Sequence, residues 1–154
     1  METVLVEKKN INEVVELLKQ DEVVAFPTET VFGLGVKFGN LSALEKIYEV
    51  KHRSHSKAVS LMIYDSQDTE KYAYTTYPNA FPQKLIDEFM PGMITLVLKK
   101  KSILSDDFTA GLETIGIRIP DDPFVLELLK RVGPMLVTSA NISGQETLLN
   151  DLDV

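Results

Sequence analysis

The chain has 154 residues, 44% of them hydrophobic and 25% charged, with no cysteine and a formal net charge of -7. That length suits one domain with a buried core, and the missing thiols exclude disulfides, cysteine nucleophiles and thiolate metal sites. No stretch reaches the ~20 apolar residues of a membrane span, no signal peptide is readable, and the acidic balance argues against broad attraction to nucleic acid; the expected location is cytoplasmic.

Residues 3–6 read as a short first strand. Asn10 is placed to cap a helix whose apolar stripe is Ile11, Val14, Val15 and Leu18. The apolar run 22–26 reads as a buried strand ended by Pro27, which cannot donate to a ladder. Residues 28–35 follow as a loop or irregular strand. Ser42 with Glu45 forms a capping-box signature for a helix through about Val50, with Leu44, Ile47 and Tyr48 inward. A strand is expected over 58–64, and helices over 65–74 and 82–89, the second with Pro82 in its first turn. Strands are expected over 94–98 and 114–119. Asp122-Pro123 opens a helix that Gly133 and Pro134 stop, and 135–137 is a last strand. Residues 145–154 hold no strong element. Alternating strands and helices predict a single α/β sheet with flanking helices, and the helix-free stretch from 94 to 119 makes part of it antiparallel.

Three segments stand out chemically. Lys51-His52-Arg53-Ser54-His55-Ser56-Lys57 gathers three permanent cations and both histidines at a helix end. It reads either as a solvated terminus complementing the helix dipole or as a phosphate site, with Arg53 the planar fork and Lys51 and Lys57 point charges. The histidines lack an evident third partner for a metal, so no metal ligands are assigned. In Pro27-Thr28-Glu29-Thr30-Val31-Phe32-Gly33-Leu34-Gly35, the G-x-G is half a dinucleotide fingerprint and weak. The polar residues at a strand end suit either a ligand or an ordinary turn. Thr138-Ser139-Ala140-Asn141-Ile142-Ser143-Gly144 is a dense neutral hydrogen-bonding surface for ribose, phosphate or carboxylate, or a turn bonded to its own backbone. Arg118 alternates away from Ile115, Ile117 and Ile119 and reads as an edge residue or an anion clamp. No G-x-S-x-G or H-E-x-x-H motif is present.

Together these segments resemble the YrdC/Sua5 (YwlC) family of threonylcarbamoyl-adenylate synthases. The matching pieces are PTETVFGLG, Lys51-x-Arg53 with Lys57, Pro91-Gly92 ahead of Thr95-Leu96-Val97-Leu98, Thr114 to Pro120, and the TSANISG segment. The resemblance implies a twisted mixed parallel/antiparallel sheet with a concave basic cavity, and one YrdC-like domain over 1–154 that is C-terminally short for the family. It implies that L-threonine, bicarbonate and ATP, with Mg2+, give threonylcarbamoyl-AMP and pyrophosphate, and that downstream transferase proteins pass the group to tRNA. Arg53, Lys57, Thr114 and Asn141 would contact ATP; Thr30, Arg118 and Ser139 would hold threonine; Lys51 and Arg53 would act on the phosphates. The alternative is a non-catalytic member that binds RNA through the same cavity. Ser54 and Ala58-Val59 depart from the family's proline-containing segment, and Met62 stands where relatives place a histidine.

Overall fold

Alternation along the strands divides the core into two layers. In β5 (Thr114–Arg118), Ile115 and Ile117 are fully buried, while Thr114, Gly116 and Arg118 on the opposite face are only half-buried. The computed structural model describes residues 3–146. The other strands are β1 (Val24–Phe26), β2 (Gly33–Lys37), β3 (Ser60–Met62), β4 (Leu96–Lys99) and β6 (Met135–Ser139). The helices are α1 (Ile11–Lys19), α2 (Leu41–Lys51), α3 (Thr69–Tyr72), α4 (Phe81–Phe89) and α5 (Pro123–Val132). The strands form one sheet in the order β1-β2-β6-β3-β5-β4. Among the described residues only the β3–β5 pair is parallel, with Leu61 opposite Ile117, and the other four pairings are antiparallel.

One face packs Leu61, Ile117 and Leu136 against α2 and α4 through Leu44, Ile47 and Ile86. The other packs Phe26, Met62, Met135 and Val137 against α1 and α5 through Val14, Leu18, Val125 and Leu128. The α1–α5 layer covers only part of its face. At the β4 side Val97 is 69% exposed, and this uncovered region is where the site lies.

The expected mixed sheet with flanking helices is therefore present, with several local differences. Residues 3–6 form no strand, because Val4 and Leu5 point to solvent and pair with no neighbour. Asn10 makes no side-chain cap. The cap of α2 is Asn40, whose Oδ1 accepts from the Ser42 amide and hydroxyl, both at 2.9 Å, so the helix is capped two residues earlier than Ser42–Glu45 suggests, and Ala43 leaves no reciprocal capping box. Asp122 does cap α5, accepting from the Phe124 and Val125 amides. The 58–64 strand contracts to β3, the stretch paired with β6 on one side and β5 on the other. The 65–74 helix contracts to a 3-10 turn and α3. Beyond it the chain turns outward to the edge of β4, with the Tyr74 amide donating to the Lys99 carbonyl at 2.9 Å. Residues 147–154 of the featureless tail lie outside the described residues.

Candidate functional site

The glycines of the G-x-G have a packing role. A Cβ on Gly35 would lie 2.9 Å from Cε1 of the Phe26 ring, and one on Gly33 3.1 Å from Cε2. Both glycines face the fully buried Phe26, whose ring lies over β2 where side chains would otherwise stand.

Between Phe26 and Gly33 the connecting loop folds back over the sheet. The Thr28 hydroxyl organises it, donating to the Val31 carbonyl at 2.6 Å and accepting from the Thr30 and Val31 amides at 3.2 Å. The turn thus bonds to its own backbone and also presents side chains outward. Arg118 Nη2 donates to Glu29 Oε1 at 2.8 Å and to Thr30 Oγ1 at 3.1 Å, across 88 or more positions of sequence. The same Glu29 oxygen accepts from the Asp121 amide at 3.1 Å. Burial pushes the Glu29 carboxyl up, but the bonds from Arg118 and the Asp121 amide outweigh it and hold the pKa below the ordinary 4.5.

Under the loop is a cavity of about 160 Å³, bordered by Thr30, Arg118 and Ser139 and floored by Ser60, Met62 and Val137. Arg118 is the one cation among its lining residues. The three residues carried over for threonine therefore converge on one hollow. Ser60 and Thr95 join it without having been given a site role from sequence. Their signal was strand alternation: a Cβ on Gly116 would touch both at 3.1 Å, so the three share a face.

The other carried-over residues gather at one end of the sheet. Thr114 and Ala58 each lie three residues ahead of the paired Ile117 and Leu61, and Ser139 lies two beyond Val137, which pairs with Ser60. The starts of β3 and β5 and the end of β6 thus point the same way. Arg53 lies against this end, its Nε donating to the Lys57 carbonyl at 3.1 Å and its Nη2 to the Ala58 carbonyl at 2.7 Å. Lys57 is exposed, and its ammonium has no partner among the described residues.

Lys51 is arranged differently from its neighbours. It is 2% exposed, and its Nζ donates to the backbone carbonyls of Ser139 and Asn141. In return the Ser143 amide donates to the Lys51 carbonyl at 3.1 Å. The end of α2 is therefore strapped to the loop after β6. Burial first, and then the nearby Arg53 charge, together pull the Lys51 pKa from the ordinary 10.5 down to about 8. Inside that loop Ser139 Oγ donates to Asn141 Oδ1, while Asn141 Nδ2 donates to the Ile142 and Gln145 carbonyls.

The histidines lie apart from the cavity. His52 is the left-handed C-cap of α2 at φ 49°. His55 stacks on Tyr48 at 4.6 Å and pairs with Glu45 at 3.5 Å, bordering a separate hollow of about 360 Å³ that contains none of the singled-out binding residues. Among the described residues, no group of three or more His, Cys, Asp or Glu is placed to hold a metal ion. No helix among them is long and apolar enough to cross a membrane.

Against this geometry, the family model Sua5_yciO_yrdC, described as telomere recombination, matches residues 16–154. The threonylcarbamoyl-AMP synthase of Bacillus subtilis is 42% identical over 145 residues, covering 89% of this chain and 41% of its own. A Methanocaldococcus jannaschii relative is 38% identical, with 91% and 67% covered. The crystal structure of P. abyssi Sua5 complexed with L-threonine superposes with a TM-score of 0.83 at 32% identity, over 94% of this chain and 42% of that one. The chain thus spans between two fifths and two thirds of the length of these relatives.

Proposed function

Because the chain belongs to the Sua5/YciO/YrdC family, matched over 16–154, we propose that it makes threonylcarbamoyl-AMP and pyrophosphate from L-threonine, bicarbonate and ATP. The observation that carries this reading is the convergence of Thr30, Arg118 and Ser139 on one small hollow, with Ser139 also bonded to Asn141. Relatives named for the synthase and a family structure holding L-threonine support it.

In this reading Arg118 takes the amino-acid carboxylate, and Thr30 and Ser139 the remaining polar groups. The free amine adds to the bicarbonate carbon and water leaves, giving a carbamate. A carbamate oxygen then attacks the α-phosphorus of ATP, and the bond to the bridging oxygen breaks, pyrophosphate departing with the electron pair. No covalent enzyme intermediate is needed, so the protein contributes positioning and charge neutralisation. Lys57, whose ammonium has no partner among the described residues, is the cation assigned to follow the leaving pyrophosphate, with Arg53 beside it. Lys51 serves by holding the loop of Ser139 and Asn141 in place, since its ammonium is committed to their carbonyls. Thr114 and Asn141 contact the nucleotide.

The residues of the site offer Mg2+ no resident cage. Glu29, the carboxylate bonded to Arg118, is also occupied by the Asp121 amide, so Mg2+ is proposed to enter on the triphosphate. The product would pass to transferase proteins acting on tRNA, in the cytoplasm. RNA binding by the basic segment is the weaker reading, because two of its three permanent cations turn inward to backbone carbonyls.

The test is pyrophosphate release. Release that requires threonine and bicarbonate together is the expected result. Equal release without either one overturns the assignment.

A further inference from the structure

Arg118 and Glu29 form an ion pair whose side chains are only 14% and 16% exposed, yet the pair is half-engaged. A guanidinium and a carboxylate normally meet as two parallel hydrogen bonds. Here Glu29 uses Oε1 alone, shared between Arg118 Nη2 and the Asp121 amide, while Glu29 Oε2 and Arg118 Nε are buried without partners among the described residues. Leaving buried polar atoms unpaired is costly, so the arrangement calls for a reason. One follows from placement: Arg118 lines the cavity and Glu29 does not. Glu29 grips the guanidinium from behind, at one corner, and is itself anchored to the turn that follows β5. Together with Thr30 it commits Nη2 and leaves Nη1 for whatever enters the hollow.

We propose that Glu29 is the positioning residue for Arg118, fixing the guanidinium so that its uncommitted Nη1 receives a ligand carboxylate. This rests on the amino-acid reading of the cavity given above. A carboxylate-bearing ligand gains from it in two ways. The fork is held in one orientation before binding, and a monodentate counter-ion occupies less of the fork than a bidentate one.

The test compares the intact protein with Glu29→Gln, which keeps the shape and removes the charge. The threonine KM is expected to rise about tenfold, the loss typical of one charge-assisted hydrogen bond, while kcat and the ATP KM stay within about twofold. A variant that is merely less stable would lower kcat and leave both KM values alone. A second readout needs no turnover: hydrogen exchange of the Arg118 Nε–H by NMR, its signal identified by its absence in Arg118→Lys. That proton is shielded by burial, not by a hydrogen bond, so it is expected to exchange slowly in the native protein and at least tenfold faster in Glu29→Gln, where the released guanidinium can swing toward solvent. Should Glu29→Gln not fold, Glu29→Asp replaces it. The shorter carboxylate cannot span both Arg118 and Asp121, and the same split is expected at smaller size. An unchanged threonine KM in an active variant overturns the proposal. If the native protein releases no pyrophosphate, the enzyme reading falls separately, and unchanged Nε–H exchange in the variant then overturns the positioning role.

Discussion

Replacing Lys51 by Met keeps the stem and deletes the ammonium that straps α2 to the Ser139–Asn141 loop. Two charge-assisted hydrogen bonds are lost, worth about 1.5–3 kcal/mol each. Against this stands the burial penalty of the charge. A pKa of about 8 in place of the ordinary 10.5 corresponds to roughly 3 kcal/mol of preference for the neutral form. The net destabilisation at pH 7 is therefore expected at about 1–3 kcal/mol, a fall in Tm of several degrees for a domain of this size. The pH dependence is the sharper test. Between pH 8 and 10.5 the unfolded chain still holds the Lys51 proton and the folded protein has released it. The unfolded state then binds more protons, and folded stability rises with pH through that window. Groups common to both proteins cancel in the difference, so the advantage of native over Lys51→Met should grow by about 2 kcal/mol between pH 7 and 10. Urea unfolding followed by far-ultraviolet circular dichroism measures it. A difference that is flat or shrinks with rising pH refutes the lowered Lys51 pKa.

Gly35→Ala should cost about 1–3 kcal/mol by overpacking, since the new Cβ would stand 2.9 Å from the Phe26 ring and 3.2 Å from Val137. Pairing it with Phe26→Leu should recover part of the loss in thermal unfolding. Asn40→Ala should destabilise by about 1 kcal/mol and Ser42→Ala by clearly less, because Asn40 is the acceptor at the start of α2; equal effects would count against this cap. Glu70 has its pKa lowered to about 2 by the bond from Lys101 and by the Thr75 hydroxyl and amide. Its contribution is present above the ordinary 4.5 and is lost as pH falls toward 2, so Glu70→Gln should narrow its gap to the native protein on acid titration. The gap should be small, because the pair is solvent-screened.

Much of this protein was settled locally. Apolar runs and periods of 2 and 3.6 residues located five of the six described strands and four of the five described helices to within a few residues, because side-chain burial imprints those patterns wherever an element has a buried face; β2, with glycines where side chains would mark a period, read only as part of a loop or irregular strand over 28–35. The stop at Pro27, the Asp122 cap and the Gly133 end act within a turn and so could be read directly. Residues 3–6 and 65–74 misled for a matching reason: their apolar spacing was adequate, but whether a strand finds a neighbour or a helix continues depends on what the rest of the chain brings alongside. The motifs named the right segments without saying what each side chain does there. Gly33 and Gly35 answer to the Phe26 ring, Lys51 to two carbonyls about ninety positions away, and Glu29 to a guanidinium at the far end of β5. Those partners meet only when the sheet places β2, β6 and β5 on one face, so tertiary structure alone decided which polar groups point inward as supports and which stay free for a ligand.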